Sequence, residues 1–194
     1  MAFLRRTAVL IGLMALSAGA CGDGGDGDIE TGAGKATTTT LASGFTTTKL
    51  STPPAEQGLL TNVTATKDAR QTRIVFEFRD ALPGYAVEYT QRPIVQDGSG
   101  DEIEVEGDQV LLVRFEPASS FDLAGRSGKG APTYTGPKRI TVGGNSDPVR
   151  EVVQVSDFEA QLEWAVGVNG KRPFRVLTAT DPPSLVLDVQ ALDS

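Results

Sequence analysis

The sequence predicts an all-β fold: a single β-sandwich, or partly closed barrel, of about nine or ten short strands. Three observations carry that reading. From about Leu59 onward, apolar residues alternate with polar ones at period two. Glycine- and aspartate-rich turn signals separate the alternating runs at short intervals. Helical periodicity is missing from the same stretch, apart from Asp157 to Gln161, where one helical turn is the expectation.

The elements follow in order. Ile74, Phe76 and Phe78 alternate with Arg73, Glu77 and Arg79. Tyr85, Val87 and Tyr89 follow the turn pair Pro83-Gly84. Ile103 and Val105 alternate with Glu102, Glu104 and Glu106, a pattern expected of a strand with a solvated acidic face. Val110 to Phe115 is almost continuously apolar, as in a central strand. Ile140 and Val142, then Val149 to Val155, continue the series. Leu162, Trp164, Val166 and Val168 share one face, and Phe174 to Leu177 and Leu185 to Val189 complete the set. Between them stand Asp97-Gly98-Ser99-Gly100, Gly107-Asp108, Gly143-Gly144-Asn145 and Asn169-Gly170. The connection from Pro117 to Pro137 is long for a hairpin, and loops of that length tend to be functional or mobile.

The segment before this domain has two parts. Arg5 and Arg6 precede the apolar run Ala8 to Leu16, and the small residues Ser17-Ala18-Gly19-Ala20 lead to Cys21, the single cysteine. Residues 1–20 therefore read as a signal peptide. The apolar run falls short of the roughly 20 residues a spanning helix needs. Ala18-Gly19-Ala20-Cys21 resembles the lipobox of bacterial lipoproteins, which implies lipidation of Cys21 and a mature chain held on the extracytoplasmic face of the cell membrane. A diacylglycerol supplies the two chains that stable anchoring requires. Residues 21–57 read as a tether. Gly22 to Asp28 is glycine and aspartate only, Thr37–Thr40 and Thr46–Thr48 are threonine clusters, and Pro53-Pro54 closes the stretch. Such composition buries too little apolar surface to offset the entropy of ordering. As a coil of about 36 residues it spans roughly 30–35 Å. The globular domain is expected over residues 58–194.

Composition excludes several chemistries. There is no histidine, which removes Ser-His-Asp and Cys-His catalysis and every imidazole metal site. With Cys21 lipidated no intrachain disulfide is available, so the hydrophobic core carries the fold. Formal net charge is −7, and loss of a leader containing Arg5 and Arg6 makes it more negative; nucleic acid is not an expected partner. No cofactor and no metal is expected. The Gly/Asp run lacks the repeated nine-residue unit of calcium-binding solenoids. Gly125-Arg126-Ser127-Gly128-Lys129-Gly130 fails as a phosphate loop, because glycine stands where serine or threonine must hold magnesium.

Together, Arg73-Ile74-Val75-Phe76-Glu77-Phe78, Pro83-Gly84-Tyr85, Tyr134-Thr135-Gly136-Pro137, Asp157-Phe158-Glu159, Trp164-Ala165-Val166-Gly167, Pro173-Phe174-Arg175-Val176 and Asp181 to Val189 resemble the AMIN-like domain of small lipoproteins in high-GC Gram-positive bacteria. The resemblance runs from about Asn62 to Gln190. It is named for likeness to the AMIN domains of cell-wall amidases and secretins. It implies a non-catalytic β-sandwich that binds the cell envelope, through peptidoglycan or a wall-associated partner. The sequence departs from the family pattern at Ser184, where arginine is expected, and at Ala160, where glycine is expected.

Four residues are candidate ligand contacts, because sugar C–H faces stack on aromatic rings and guanidinium pairs with carboxylate. Tyr134 is expected exposed in the long loop. Trp164 shares its face with Leu162 and Val166, so core packing competes with a binding role. Tyr85 lies on a strand after Pro83-Gly84. Arg175 points away from Phe174 and Val176, either to Asp188 on a neighbouring strand or to a ligand. Two other function classes stay open: an assembly subunit that pairs through an edge strand, and a glycan hydrolase using Asp157 and Glu159 as a carboxylate pair. No catalytic residue is assigned in the leading reading, in which the chain is not an enzyme.

The lipidation site is directly testable. Cys21→Ser is expected to abolish incorporation of an alkyne fatty acid and to leave the chain unprocessed or released from the membrane fraction. Equal label in wild type and variant contradicts the lipobox.

Overall fold

The computed structural model describes residues 39–41, 44–124 and 130–191, all of which fall in the unit Ala36–Ser194. The expected signal peptide, Cys21 and the tip of the glycine-rich loop, residues 125–129, lie outside the described residues. The strands are β1 (Thr39–Leu41), β2 (Leu50–Ser51), β3 (Gly58–Lys67), β4 (Gln71–Arg79), β5 (Gly84–Thr90), β6 (Gln109–Glu116), β7 (Ala118–Ser119), β8 (Phe121–Asp122), β9 (Ala131–Pro132), β10 (Arg139–Thr141), β11 (Val149–Phe158), β12 (Gln161–Val168), β13 (Phe174–Thr180) and β14 (Pro183–Gln190). The described residues contain no helix.

Two six-stranded sheets form, ordered β1-β13-β14-β4-β3-β7 and β10-β11-β12-β6-β5-β2, with a β8-β9 ribbon beside them. They pack through one apolar core, as the alternation requires. The first sheet contributes Leu60, Val63, Ile74, Phe76, Phe78, Phe174, Val176, Leu185, Leu187 and Val189. The second contributes Tyr85, Val87, Leu111, Val113, Phe115, Val149, Val152, Leu162, Trp164, Val166 and Val168. Aromatic edges meet faces across the gap: Phe76 lies 5.2 Å from Phe115 and 5.9 Å from Trp164, and Phe78 lies 4.9 Å from Phe115. Each such side chain, fully buried, contributes about 1.5–3 kcal/mol.

Part of the second sheet's outer face, over β6, β11 and β12, is covered as well. Ile94 and Val105 pack on Val110, Val153, Val155 and Ala165 in a second apolar cluster. The covering segment explains the continuous apolar run in β6 and the burial of every residue from Leu162 to Val168. It also corrects one expectation. Glu102 to Glu106 is a covering loop, touched by one isolated bridge between Val95 and Glu102, and not a strand of its own. Its path requires Gly167. A Cβ there would stand 1.8 Å from the Glu106 carbonyl oxygen.

Three further expectations are corrected. The connection from Pro117 to Pro137 carries β7, β8 and β9. Order begins well before residue 58. Leu50 and Ser51 pair with Val87 and Ala86, Thr46 and Phe174 exchange backbone hydrogen bonds of 2.8 and 2.7 Å, and the Thr52 N–H donates to Tyr85 O at 2.8 Å. Thr39–Leu41 pairs with Leu177–Ala179. The outer edges of β13 and β5 are thereby paired with chain whose composition suggested a tether. Lastly, Asp157 to Gln161 is not helical. β11 and β12 meet at a two-residue turn in which Glu159 and Ala160 have φ of 49° and 62°. Both central residues lie in the left-handed region, which a tight hairpin with right-handed strand twist demands.

Alanine is a poor residue for that conformation, which costs a side chain about 1–2 kcal/mol. Ala160→Gly restores the residue that the turn favours. It is expected to raise stability by about 1 kcal/mol, after allowance for glycine's larger unfolded-state entropy. Urea denaturation checks this, and a midpoint left unchanged or lowered contradicts the strained turn.

Candidate functional site

On the outer face of the first sheet, the register assigns the side chains to rows. Thr66, Arg73, Asp188 and Arg175 lie side by side across β3, β4, β14 and β13. The next row is Thr64, Val75, Val186 and Leu177, and beyond it lie Asn62, Glu77, Ser184 and Ala179.

The charged row is built around Asp188, whose exposure is 0%. Arg73 grips it with two bonds, Nε to Oδ1 at 2.7 Å and Nη2 to Oδ2 at 2.9 Å. Arg175 approaches from the other side, Nε to Oδ2 at 3.0 Å. The Phe45 ring lies 4.7 Å from the Arg175 guanidinium carbon, a cation–π contact. Burial alone would raise the Asp188 pKa. The hydrogen bonds and positive charges of Arg73 and Arg175 outweigh it and hold the carboxyl below its ordinary value. Asp188 in turn raises the pKa of Arg73 through the same bonds. Two guanidiniums against one carboxylate leave one net positive charge. The Arg73 side chain is 44% exposed, and its Nη1 group is not used by Asp188.

The other residues singled out from sequence lie elsewhere. Trp164 is wholly buried between the sheets, its Nε1 without a hydrogen-bond partner. Tyr134, expected exposed, is only 8% exposed. Its ring stands edge-on to Trp164 at 5.7 Å and its hydroxyl donates to Pro137 O at 2.8 Å. The loop folds back because a large ring gains more from closing the end of the core than from solvent. Tyr85 is 7% exposed and forms one wall of a shallow cleft with Pro53, Pro54, Leu82 and Pro83. These three rings are core components, so no aromatic platform forms from them. Arg175 alone of the four lies on the first sheet's outer face.

Asp157 and Glu159 do not act together as the hydrolase reading requires. The Asp157 carboxylate accepts from Ser120 N–H at 2.8 Å and from the Ser120 hydroxyl, so it ties β11 to the long connection. Glu159 sits on the exposed hairpin turn. No cluster of three or more acidic, cysteine or histidine side chains suited to a metal occurs among the described residues.

Sequence reasoning missed Arg73 as a site residue. Its alternation with Ile74 was visible, but its pairing with Asp188, 115 positions away, needs the strand order. Ser184, where the sequence reading expected arginine, lies on the same face as Asp188. Here its hydroxyl donates to Pro182 O at 2.8 Å.

The architecture is therefore that of a β-sandwich module with one sheet partly covered on its outer face and the other bearing a clamped arginine pair on its outer face. The AMIN-like domain family matches residues 58–191, and the chain belongs to that family. This membership points to a non-catalytic module associated with the cell envelope. No curated protein and no solved structure matches the chain. The matched span begins at β3, so β1 and β2, which complete the sheet edges here, precede it.

Asp188 makes stability depend on pH with a definite sign. Its folded pKa lies below the unfolded value of about 4, so its contribution is complete above that value. It is lost as pH falls through the depressed folded pKa. Asp188→Asn is expected to cost about 1.5–3 kcal/mol near neutrality, the range for hydrogen bonds to charged groups. The gap between wild type and variant should be flat above about pH 5 and close below about pH 4. Denaturant melts across this range test it; a gap that widens with acid contradicts the clamp.

Proposed function

We propose that this protein is a lipoprotein, anchored through Cys21 to the extracytoplasmic face of the cell membrane, whose domain binds peptidoglycan without cleaving it. The Arg73–Asp188–Arg175 row carries the reading. Arg73 and Arg175 are held in place by a buried acid, so little side-chain entropy is lost when they meet a ligand. A carboxylate of a wall stem peptide fits the donors of Arg73 that Asp188 leaves unused, and guanidinium–carboxylate recognition is charge-assisted. Phe45 and the apolar row Val75 and Val186 offer surface against which sugar C–H groups pack. Affinity from one such face is micromolar or weaker, and it falls with salt because the contact is exposed.

Cosedimentation with purified cell wall tests the proposal. Wild-type protein is expected to sediment at low salt and to be partly released at high salt, with no soluble muropeptides. Arg73→Gln is expected to weaken sedimentation several-fold, since it removes the exposed guanidinium and leaves Arg175 to satisfy Asp188. Failure of wild type to sediment, or equal binding by the variant, overturns this face as the wall site. Release of muropeptides returns the hydrolase reading.

A further inference from the structure

The four outer edges of the two sheets are not alike. Three end in short strands: β1 with three residues, β10 with three and β2 with two. The fourth is different. β7 covers β3 only at Gly58 and Leu59, and the Thr133 hydroxyl donates to Leu60 O at 2.7 Å. From Thr61 to Lys67 the outer backbone groups of β3 have no hydrogen-bond partner among the described residues. This stretch, Thr-Asn-Val-Thr-Ala-Thr-Lys, contains no proline and no charge until Lys67. The one bulge of β3 falls at its first residue, Thr61, between Leu60 and Asn62. Monomeric sandwiches protect such edges with charge, proline, bulges or brevity, and none of these guards residues 62–66.

We infer that this edge pairs with the same edge of a second copy of the chain, antiparallel, about a twofold axis at Thr64. The sequence is complementary to itself in that register. Thr64 stands opposite Thr64 of the other copy, Asn62 opposite Thr66, Val63 opposite Ala65 and Thr61 opposite Lys67. No like charges oppose, and threonine pairs and threonine–asparagine pairs are favourable cross-strand neighbours. Val63, on the core side, meets another small apolar residue, and Asn62, Thr64 and Thr66 meet on the outer face. An antiparallel match closes after two copies, whereas a parallel one cannot satisfy a twofold axis in this plane and leaves edges to propagate. The first sheets of two copies then form one continuous sheet, and their two arginine rows lie on one side of it. A single edge pairing is a small interface, so the association is weak and depends on concentration. This inference rests on the edge alone and stands independently of the wall-binding proposal.

Cysteine scanning in the full chain tests it, because Cys21 is the single native cysteine and lies outside the described domain. Directly opposed residues in an antiparallel pair have Cα atoms about 4.5–5.5 Å apart, within disulfide range. Membranes containing Thr64→Cys, treated with mild oxidant, are expected to give a disulfide dimer on non-reducing gels. Thr66→Cys alone is expected to give none, because the axis sets the two copies of residue 66 far apart. Asn62→Cys and Thr66→Cys expressed together are expected to give a mixed dimer. Thr48→Cys, exposed and remote from β3, reports random collision. No dimer from Thr64→Cys overturns the inference. So do equal dimers at all positions, a dimer from Thr66→Cys alone, or a Thr64→Cys adduct with a different protein, which would assign the edge to another partner.

Discussion

Phe76 stands edge-to-face with both Phe115 and Trp164, and this contact between the sheets is the one on which the rest of the domain depends. The described residues contain no cysteine and no histidine, so neither disulfide nor imidazole-bound metal assists them. Stability comes from a close-packed apolar layer, in which even small changes of volume are felt. That demand fixes what each strand presents inward. It also explains why Tyr134 leaves its loop for the end of the core, where its ring packs on Trp164 and its hydroxyl reaches a carbonyl.

A second constraint follows from the first. The inner layer uses one face of each sheet, and the covering segment then uses part of the outer face of the second sheet. That cover is fastened by polar contacts as well as by Ile94 and Val105. Glu151, nearly buried, accepts from the Glu106 N–H at 2.7 Å and from Arg139, and Arg92 donates to the Gly107 carbonyl at 2.8 Å. Arg92, Arg139 and Glu151 are thus engaged in holding the loop. The outer face of the first sheet carries the arginine row, and that row is the basis of the proposed ligand site.

Much of this was legible in the sequence, and the failures have physical causes. Alternation around Ile74–Phe78 and Leu162–Val168 assigned faces correctly because each strand has one face packed on the core. The continuous run Val110–Phe115 indicated a central strand, and β6 does lie between β12 and β5. Arg175 and Asp188 were readable as cross-strand neighbours because β13 and β14 form a hairpin. Arg73 was not, since β4 reaches β14 only through long-range order. The strands at Thr39–Leu41 and Leu50–Ser51 were hidden by composition. Threonine, serine and leucine beside glycine and proline read as linker, yet threonine is a good strand former when an open edge supplies its hydrogen bonds. Tyr134 failed for the opposite reason: loop position said nothing about the space available at the end of the core.

The arginine row joins stability to recognition through one buried charge. A carboxylate at the Asp188 position, with no exposed surface, is tolerable only because both guanidiniums compensate it. Those guanidiniums are consequently held in a fixed geometry whether or not a ligand is present. Under the wall-binding proposal a ligand carboxylate does not need to displace Asp188; it would meet donors that Asp188 leaves free, on a charge that one acid only half neutralises. The same arrangement limits affinity. Part of each arginine's hydrogen-bonding capacity is committed to the fold, and what remains is exposed to water and salt. Under the wall-binding proposal, such a face suits many weak contacts with a repeating polymer better than one tight complex.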